Sequence, residues 1–103
     1  MAEESKIERR ACDRALDELG VTNSKLVTPG RTGFPDRIFY IPGGKPLLIE
    51  FKRPGEEPKP MQLYIHQLLR QLKYNVKVCD NVEDAVRYVR EALHAARLSD
   101  HSD

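Results

Sequence analysis

The side chains best suited to chemistry lie at the end of an apolar run near the middle of the chain. There Glu50 and Lys52 flank Phe51. Side chains alternate along a strand, so Glu50 and Lys52 share one face. A carboxylate and an ammonium beside a core strand are costly when dry and unpaired, so we expect both to line a wet cleft. An ordinary ion pair at a strand end is the alternative.

A second carboxylate, Asp36, closes the turn Gly33–Asp36, fourteen residues before Glu50. A hairpin across this stretch would bring the two acids together. Neighbouring carboxylates repel each other unless a cation lies between them. Magnesium suits one or two carboxylates with water and phosphate oxygens, whereas zinc favours Cys and His ligands, which this sequence lacks at a suitable spacing. The spacing therefore predicts a divalent-cation site, with Mg²⁺ as the best fit.

Hydrophobic periodicity and turn residues predict the elements that must position these groups. In chain order they are a helix at 4–19 stopped by Gly20, strands at 25–28, 37–41 and 46–52, a helix from 60 to 72, a strand at 74–79 and a helix capped by Asn81. A turn at 42–45 joins two strands into a hairpin, and the crossover through the second helix predicts a parallel neighbour. The order α-β-β-β-α-β predicts an α/β fold with a mixed sheet flanked by helices.

Apolar positions lead to expectations about packing. The second helix has an apolar stripe that we expect to face the core, at Met61, Ile65, Leu68, Leu69 and Leu72. The third helix has spare apolar surface outside its predicted buried side, at Tyr88, Ala92 and Ala95. Cys12 and Cys79 are far apart in the sequence, and we expect both to be buried free thiols.

With 103 residues and 11.8 kDa, the chain is expected to form one domain, 1–103, with a frayed polar tail at 99–103. This size excludes a multi-domain enzyme or a transporter, and no apolar run approaches the roughly 20 residues of a membrane span. The first residues lack the pattern of a secretory signal, so we expect a cytoplasmic protein without a membrane partner. The net charge of +1 favours no polyanion by itself, but 59–78 contains four basic residues and no acid.

Two sets of residues resemble known nucleases. Pro35-Asp36 followed by Glu50-Phe51-Lys52 resembles the PD-(D/E)xK nuclease superfamily. Over residues 4–93 the chain is similar to the virus-type replication-repair nuclease (VRR-NUC) domain, because it has an opening helix with acids, a Gly-x-Pro-Asp turn, Glu-x-Lys, Gln62 and a closing strand and helix. The resemblance implies a restriction-endonuclease-like fold.

The resemblance also implies roles for individual residues. In that family the Asp and Glu of the motif bind the metal, which assigns Asp36 and Glu50, with the carbonyl of Phe51, to Mg²⁺ or Mn²⁺. It implies that Lys52 assists the attacking water. Gln62 is the motif glutamine, with a hydrogen bond to water or phosphate as its expected role.

Members of the family tend to have a further Glu on the first helix near the metal. Here Glu8 is favoured and Glu4 is the alternative, and an acid in this position can also be a solvated surface residue. The histidines, His66, His94 and His101, are scattered, with no Ser or Cys placed to form a nucleophile pair.

These observations predict a metal-dependent DNA endonuclease. The resemblance alone implies selectivity for branched DNA such as four-way junctions or cruciforms. We expect a homodimer, because two symmetric incisions need two sites. The candidate phosphate contacts are basic residues, namely Arg31, Arg37, Arg53, Lys59, Arg70 and Lys73. The alternative is a non-catalytic nucleic-acid-binding or assembly module that keeps this fold.

Overall fold

The computed structural model describes residues 2–100, which form three helices and four strands within that range. In chain order these are α1 (Ala2–Leu19), β1 (Asn23–Lys25), β2 (Arg37–Phe39), β3 (Leu47–Phe51), α2 (Pro60–Gln71), β4 (Asn75–Cys79) and α3 (Val82–Asp100). The strands lie side by side in the order β1-β2-β3-β4. The first three are antiparallel to their neighbours, and β4 is parallel to β3. The predicted α/β fold with a mixed sheet is confirmed.

The strand β3 is the centre of the molecule, with all five of its residues buried. Leu47, Ile49 and Phe51 point into a hydrophobic core that α1 and α3 complete. The side chain of Glu50 points the other way and contacts α2. The alternation along β3 therefore separates the core-facing side chains from a second face, which carries Leu48 and Glu50 and lies on the α2 side.

Two local signals fix the ends of helices as predicted. Gly20, at φ +68°, ends α1, and the amide of Val21 donates to the carbonyl of Ala15 at 3.1 Å. At the other end of the chain Asn81 caps α3, because its side-chain oxygen accepts the amide of Asp84 at 2.8 Å. Both signals act within one helical turn, so they need no tertiary contact.

The boundaries of several elements differ from those predicted. The first strand is 23–25 rather than 25–28, because it pairs with β2 in a register that sets Asn23 opposite Phe39. Pairing also limits β2 and β3 to 37–39 and 47–51. The helix α3 continues through residue 100, two residues into the expected polar tail, and 101–103 lie outside the described residues. Within 2–100, no helix has both the length and the apolar content that a bilayer crossing requires.

The prediction that the apolar stripe of α2 faces the core is wrong for most of its members. Ile65 is buried and Leu69 half-buried, but the other three are exposed, namely Met61, Leu68 and Leu72. The reason is that α2 packs mainly beside β4, so only a narrow strip of the helix meets the sheet. His66 fills a fully buried position on that strip.

The apolar surface expected to be spare on α3 is also mostly in use. Tyr88 and Ala92 pack against the core, and Ala95 alone of the three is exposed. The thiol of Cys79 is buried, and burial raises its pKa to about 12, whereas Cys12 is only half-buried. Neither cysteine is part of a disulfide.

Candidate active site

The β2–β3 hairpin brings the two predicted carboxylates together. Arg37 pairs with Ile49, so Asp36 and Glu50 occupy the next facing positions of the same ladder. The amide of Asp36 donates to the carbonyl of Ile49 at 3.0 Å. Its Oδ2 atom accepts the amide of Phe51 at 2.7 Å, which fixes the carboxylate against the end of β3. Facing residues of antiparallel strands point to the same side of a sheet, so both acids lie on the α2 side.

A close backbone approach sets the path of the turn before Asp36. Gly33 has φ +92°, and a Cβ atom there would lie 2.8 Å from the carbonyl oxygen of Met61 in α2. Pro35, two residues later, is buried. The absence of a side chain at Gly33 thus lets the turn pass against α2 and deliver Asp36 to the sheet.

Glu50 and Lys52 are buried, which corrects the expectation that they line a wet cleft. Their exposed fractions are 3% and 4%. The Nζ atom of Lys52 lies 3.8 Å from Oε2 of Glu50, and its amide donates to the carbonyl of Cys79. Burial, and then the charge of Asp36, raise the pKa of Glu50 to about 8. Asp36, by contrast, is only half-buried.

The environment of Asp36 also favours its neutral form. Burial raises the pKa of this carboxyl, and the charges of Glu8 and Glu4 raise it further. The hydrogen bond from the amide of Phe51 and the charge of Lys52 lower it. The site therefore holds two carboxyl groups whose ionised forms the protein by itself does not fully stabilise.

Gln62 connects the site to the start of α2. Its Nε2 atom donates to Oε2 of Glu50 at 2.9 Å, and its Oε1 atom accepts the amide of Lys59 at 2.8 Å. The second bond closes the first turn of the helix, as expected for Gln three residues after the cap. The side-chain amide thus donates one hydrogen bond and accepts another within the protein, and Gln62 holds Glu50 in place.

The two candidate acids of α1 have different surroundings. Glu8 pairs with Arg37, whose Nε atom donates to its Oε2 at 2.6 Å, and Lys25 lies 3.9 Å from the same oxygen. Glu4 is half-buried, and its charge raises the pKa of both Asp36 and Glu50. Both acids therefore act on Asp36, Glu8 more strongly than Glu4, and Glu4 also raises the pKa of Glu50, whereas the charge of Glu8 is paired with Arg37.

Of the six predicted phosphate contacts, three are engaged within the protein. Arg37 pairs with Glu8, Arg53 with Glu56 at 3.2 Å, and Arg70 donates to the carbonyl of Val76 at 2.8 Å. The other three are exposed and form no ion pair within residues 2–100, namely Arg31, Lys59 and Lys73.

His66 is the residue of this site that the sequence analysis missed. Its Nε2 atom lies 3.6 Å from Oε1 of Glu50, and the ring is fully buried. The sequence did hold a signal, because His66 follows Gln62 by four residues and therefore shares its helix face. A search for a base beside a Ser or Cys nucleophile does not identify His66, because no such nucleophile is placed near it in the sequence.

The donor set fits a magnesium-type ion. No group of three or more His, Cys, Asp or Glu side chains in the described part of the chain forms a metal cluster. Two carboxylates from adjacent strands are nevertheless what Mg²⁺ commonly takes from a protein, with water and phosphate completing its shell. Oε1 of Glu50 is buried and has no hydrogen-bond partner among the described residues, as expected for an oxygen that needs a further partner.

Comparisons with known proteins point in the same direction. No protein-family model matches the chain. Over 64 residues it is 44% identical to "Putative nuclease p44" of Acyrthosiphon pisum secondary endosymbiont phage 1, a match that covers 62% of this chain and 69% of that protein. A solved structure described as a VRR-NUC domain is similar with a TM-score of 0.74 and 28% identity, over 85% of this chain and 95% of that one.

Proposed function

This chain belongs to the VRR-NUC family of nuclease domains, and from that premise we propose that it is a DNA endonuclease dependent on Mg²⁺ or Mn²⁺. One observation carries the proposal: the hairpin register places Asp36 and Glu50 side by side, with Lys52 on the same face as Glu50. Burying the charges of Glu50 and Lys52 lowers the stability of a small domain, which favours a functional role for them.

Each of the three side chains has a distinct task in this proposal. Asp36, Glu50 and the carbonyl of Phe51 would hold the divalent ion, which when bound supplies a Lewis acid for a phosphate oxygen and lowers the pKa of water. Lys52 provides a compact cation beside Glu50, able to orient or deprotonate the attacking water or to stabilise charge on the phosphate. Gln62 keeps the carboxylate of Glu50 in position.

The substrate class is DNA, with branched structures such as four-way junctions or cruciforms as the preferred form. Phosphate contacts from Arg31, Lys59 and Lys73 suit this proposal best, because these exposed cations have no acidic partner within residues 2–100. Arg37, Arg53 and Arg70 must leave an internal partner before they can contact DNA. Phosphate contacts position a nucleic acid without reading its sequence.

A homodimer would supply two sites for paired incisions, since one copy measures 42 × 30 × 24 Å and has one carboxyl pair. An apolar surface available for a second copy lies on the α2 side. A groove of about 360 Å³ opens there, and it is lined by Leu26, Thr28, Phe34, Ile38, Pro46, Leu48, Leu69 and Tyr74. A two-fold interface through this groove is self-complementary by symmetry.

The proposal is tested by incubating the protein with labelled four-way junction, flap and linear duplex DNA in Mg²⁺, Mn²⁺, Ca²⁺ or EDTA. We expect cleavage in Mg²⁺ and Mn²⁺, with paired symmetric products on the junction. Asp36→Asn, Glu50→Gln and Lys52→Ala should each abolish cleavage with circular dichroism unchanged, whereas Asp17→Asn, which removes an exposed carboxylate of α1, should cleave normally.

The same experiment separates the enzyme from a binding module. DNA retention without cleavage in any metal would favour the non-catalytic alternative. Near wild-type cleavage by any of the three site variants would refute the assigned roles. Light scattering at micromolar concentration tests the dimer, which should have twice the 11.8 kDa mass of the chain. A monomeric mass with equal cleavage of linear duplex would refute both the dimer and the junction preference.

A further inference from the structure

His66 and Glu50 face each other in the interior with their polar atoms unpaired. The ring of His66 is 0% exposed, and neither of its nitrogens has a hydrogen-bond partner among the described residues. Oε1 of Glu50 is also buried and has no hydrogen-bond partner among these residues. The two groups are 3.6 Å apart, which is just beyond the length of a hydrogen bond. Each is therefore a candidate partner for the other.

An unpaired imidazole in the core is costly, and an apolar side chain could fill the same space without that cost. Burial lowers the pKa of His66, and the charges of Arg70 and Lys52 lower it further. An imidazole ring has an N–H to donate in either protonation state. A donor aimed at a carboxyl oxygen stabilises the ionised form of that carboxyl.

The helix α2 presents two side chains to Glu50, one for each oxygen. Gln62 already donates to Oε2, and His66 is one turn further along the same helix face, opposite Oε1. If His66 also donates, the carboxylate of Glu50 is held at both oxygens and loses its freedom to rotate. Outer partners of this kind commonly orient the ligands of a metal.

We propose that His66 is a positioning residue, whose Nε2–H donates to Oε1 of the ionised Glu50 and, with Gln62, fixes that carboxylate for a divalent cation. This inference rests on the proposed function of the site. His66 itself contacts neither the metal nor the substrate in this arrangement, and it acts through Glu50.

Two substitutions separate positioning from packing. His66→Leu fills the core without a donor, and His66→Gln retains an amide donor on a side chain of suitable length. His94→Leu is the matched control, because His94 is exposed on α3. The readout is the affinity for Mn²⁺ alone, measured by titration calorimetry without DNA, together with urea unfolding of each metal-free protein.

We expect His66→Leu to weaken Mn²⁺ binding by about tenfold or more, with the metal-free protein as stable as wild type or more stable. His66→Gln should recover most of the affinity, and His94→Leu should have none of these effects. A folded His66→Leu protein with wild-type Mn²⁺ affinity would overturn the positioning role and leave the proposed nuclease intact. A wild-type protein that neither binds Mn²⁺ nor cleaves DNA would overturn the proposed function itself.

A second measurement uses the unsubstituted protein, so it does not depend on variants that fold. Two-bond ¹H–¹⁵N correlation spectra report which imidazole nitrogen carries the proton. With Mg²⁺ bound, the proton of His66 should be on Nε2, with the downfield shift of a hydrogen-bonded N–H. A proton on Nδ1, with Nε2 bare, would overturn the inference.

Discussion

The substitution Glu50→Gln removes a charge that the folded protein holds at a cost. Glu50 is 3% exposed, and burial together with the charge of Asp36 raises its pKa from 4.5 to about 8. Gln62 donates to the carboxylate through its amide nitrogen, and the oxygen of a glutamine at position 50 can accept the same bond. The substitution therefore keeps the volume and the hydrogen bond and removes the titration.

The sign of the pH dependence follows from the direction of the shift. Between pH 4.5 and about 8 the native protein retains a proton on Glu50 that the unfolded chain has released. The stability of wild type therefore falls as the pH rises through this window, and a shift of this size corresponds to roughly 4 kcal/mol. The Gln variant does not lose this stability. We expect the two proteins to be about equally stable near pH 4.5, with the variant more stable by a few kcal/mol at pH 8.

The assay is urea unfolding followed by circular dichroism in EDTA at several pH values between 4.5 and 8.5. Asp17→Asn is the control, because the carboxylate of Asp17 is exposed, and its curve should run parallel to that of wild type. Saturating Mg²⁺ should raise the free energy of unfolding of wild type by about 2.7 kcal/mol at one hundred times Kd, and should leave that of the Gln variant unchanged. A Gln variant that follows wild type across the whole pH range would refute the argument that Glu50 is a costly buried acid.

Three further predictions follow from single contacts. Gly33→Ala should destabilise the fold by about 1–3 kcal/mol in thermal melts and reduce cleavage, because the new Cβ would lie 2.8 Å from the α2 backbone. Gly30→Ala is the control: Gly30 has a similar φ but open space around it, so this variant should lose less stability. Asn81→Ala removes the cap of α3 and should cost about 1 kcal/mol in urea unfolding without changing cleavage. Glu4→Gln should slow cleavage by about tenfold with the fold intact. Glu8→Gln should instead remove the ion pair with Arg37 and lower the free energy of unfolding by about 1 kcal/mol. Equal effects of the two variants on cleavage would contradict this difference in roles.

The elements that the sequence predicts well are those set by short-range chemistry. Gly20 ends α1 and Asn81 starts α3 through contacts within one turn. Alternation along β3 places Glu50 and Lys52 on one face, and the hairpin turn sets Asp36 opposite Glu50. These features need only the local backbone period and the length of one turn, so the residues themselves carry the information.

The burial of each residue depends on which element packs against its face of the helix or strand, and hydrophobic periodicity does not contain that information. The apolar stripe of α2 indicates a helix, but only packing beside β4 decides that Ile65 is buried and Leu72 exposed. The same packing closes the cleft expected at Glu50 and Lys52.

The tertiary structure also decides which residues complete the site. Glu4 and Glu8 share one face of α1, and only the ion pair of Glu8 with Arg37 distinguishes them. His66 lies at the site because α2 packs beside the sheet and brings its Nε2 atom to 3.6 Å from Oε1 of Glu50, a residue sixteen positions earlier in the chain. A sequence determines the direction of a side chain relative to its own helix or strand. Which partner that side chain meets depends on how distant elements pack together. The burial, pKa and hydrogen bonding of the side chain follow from that partner.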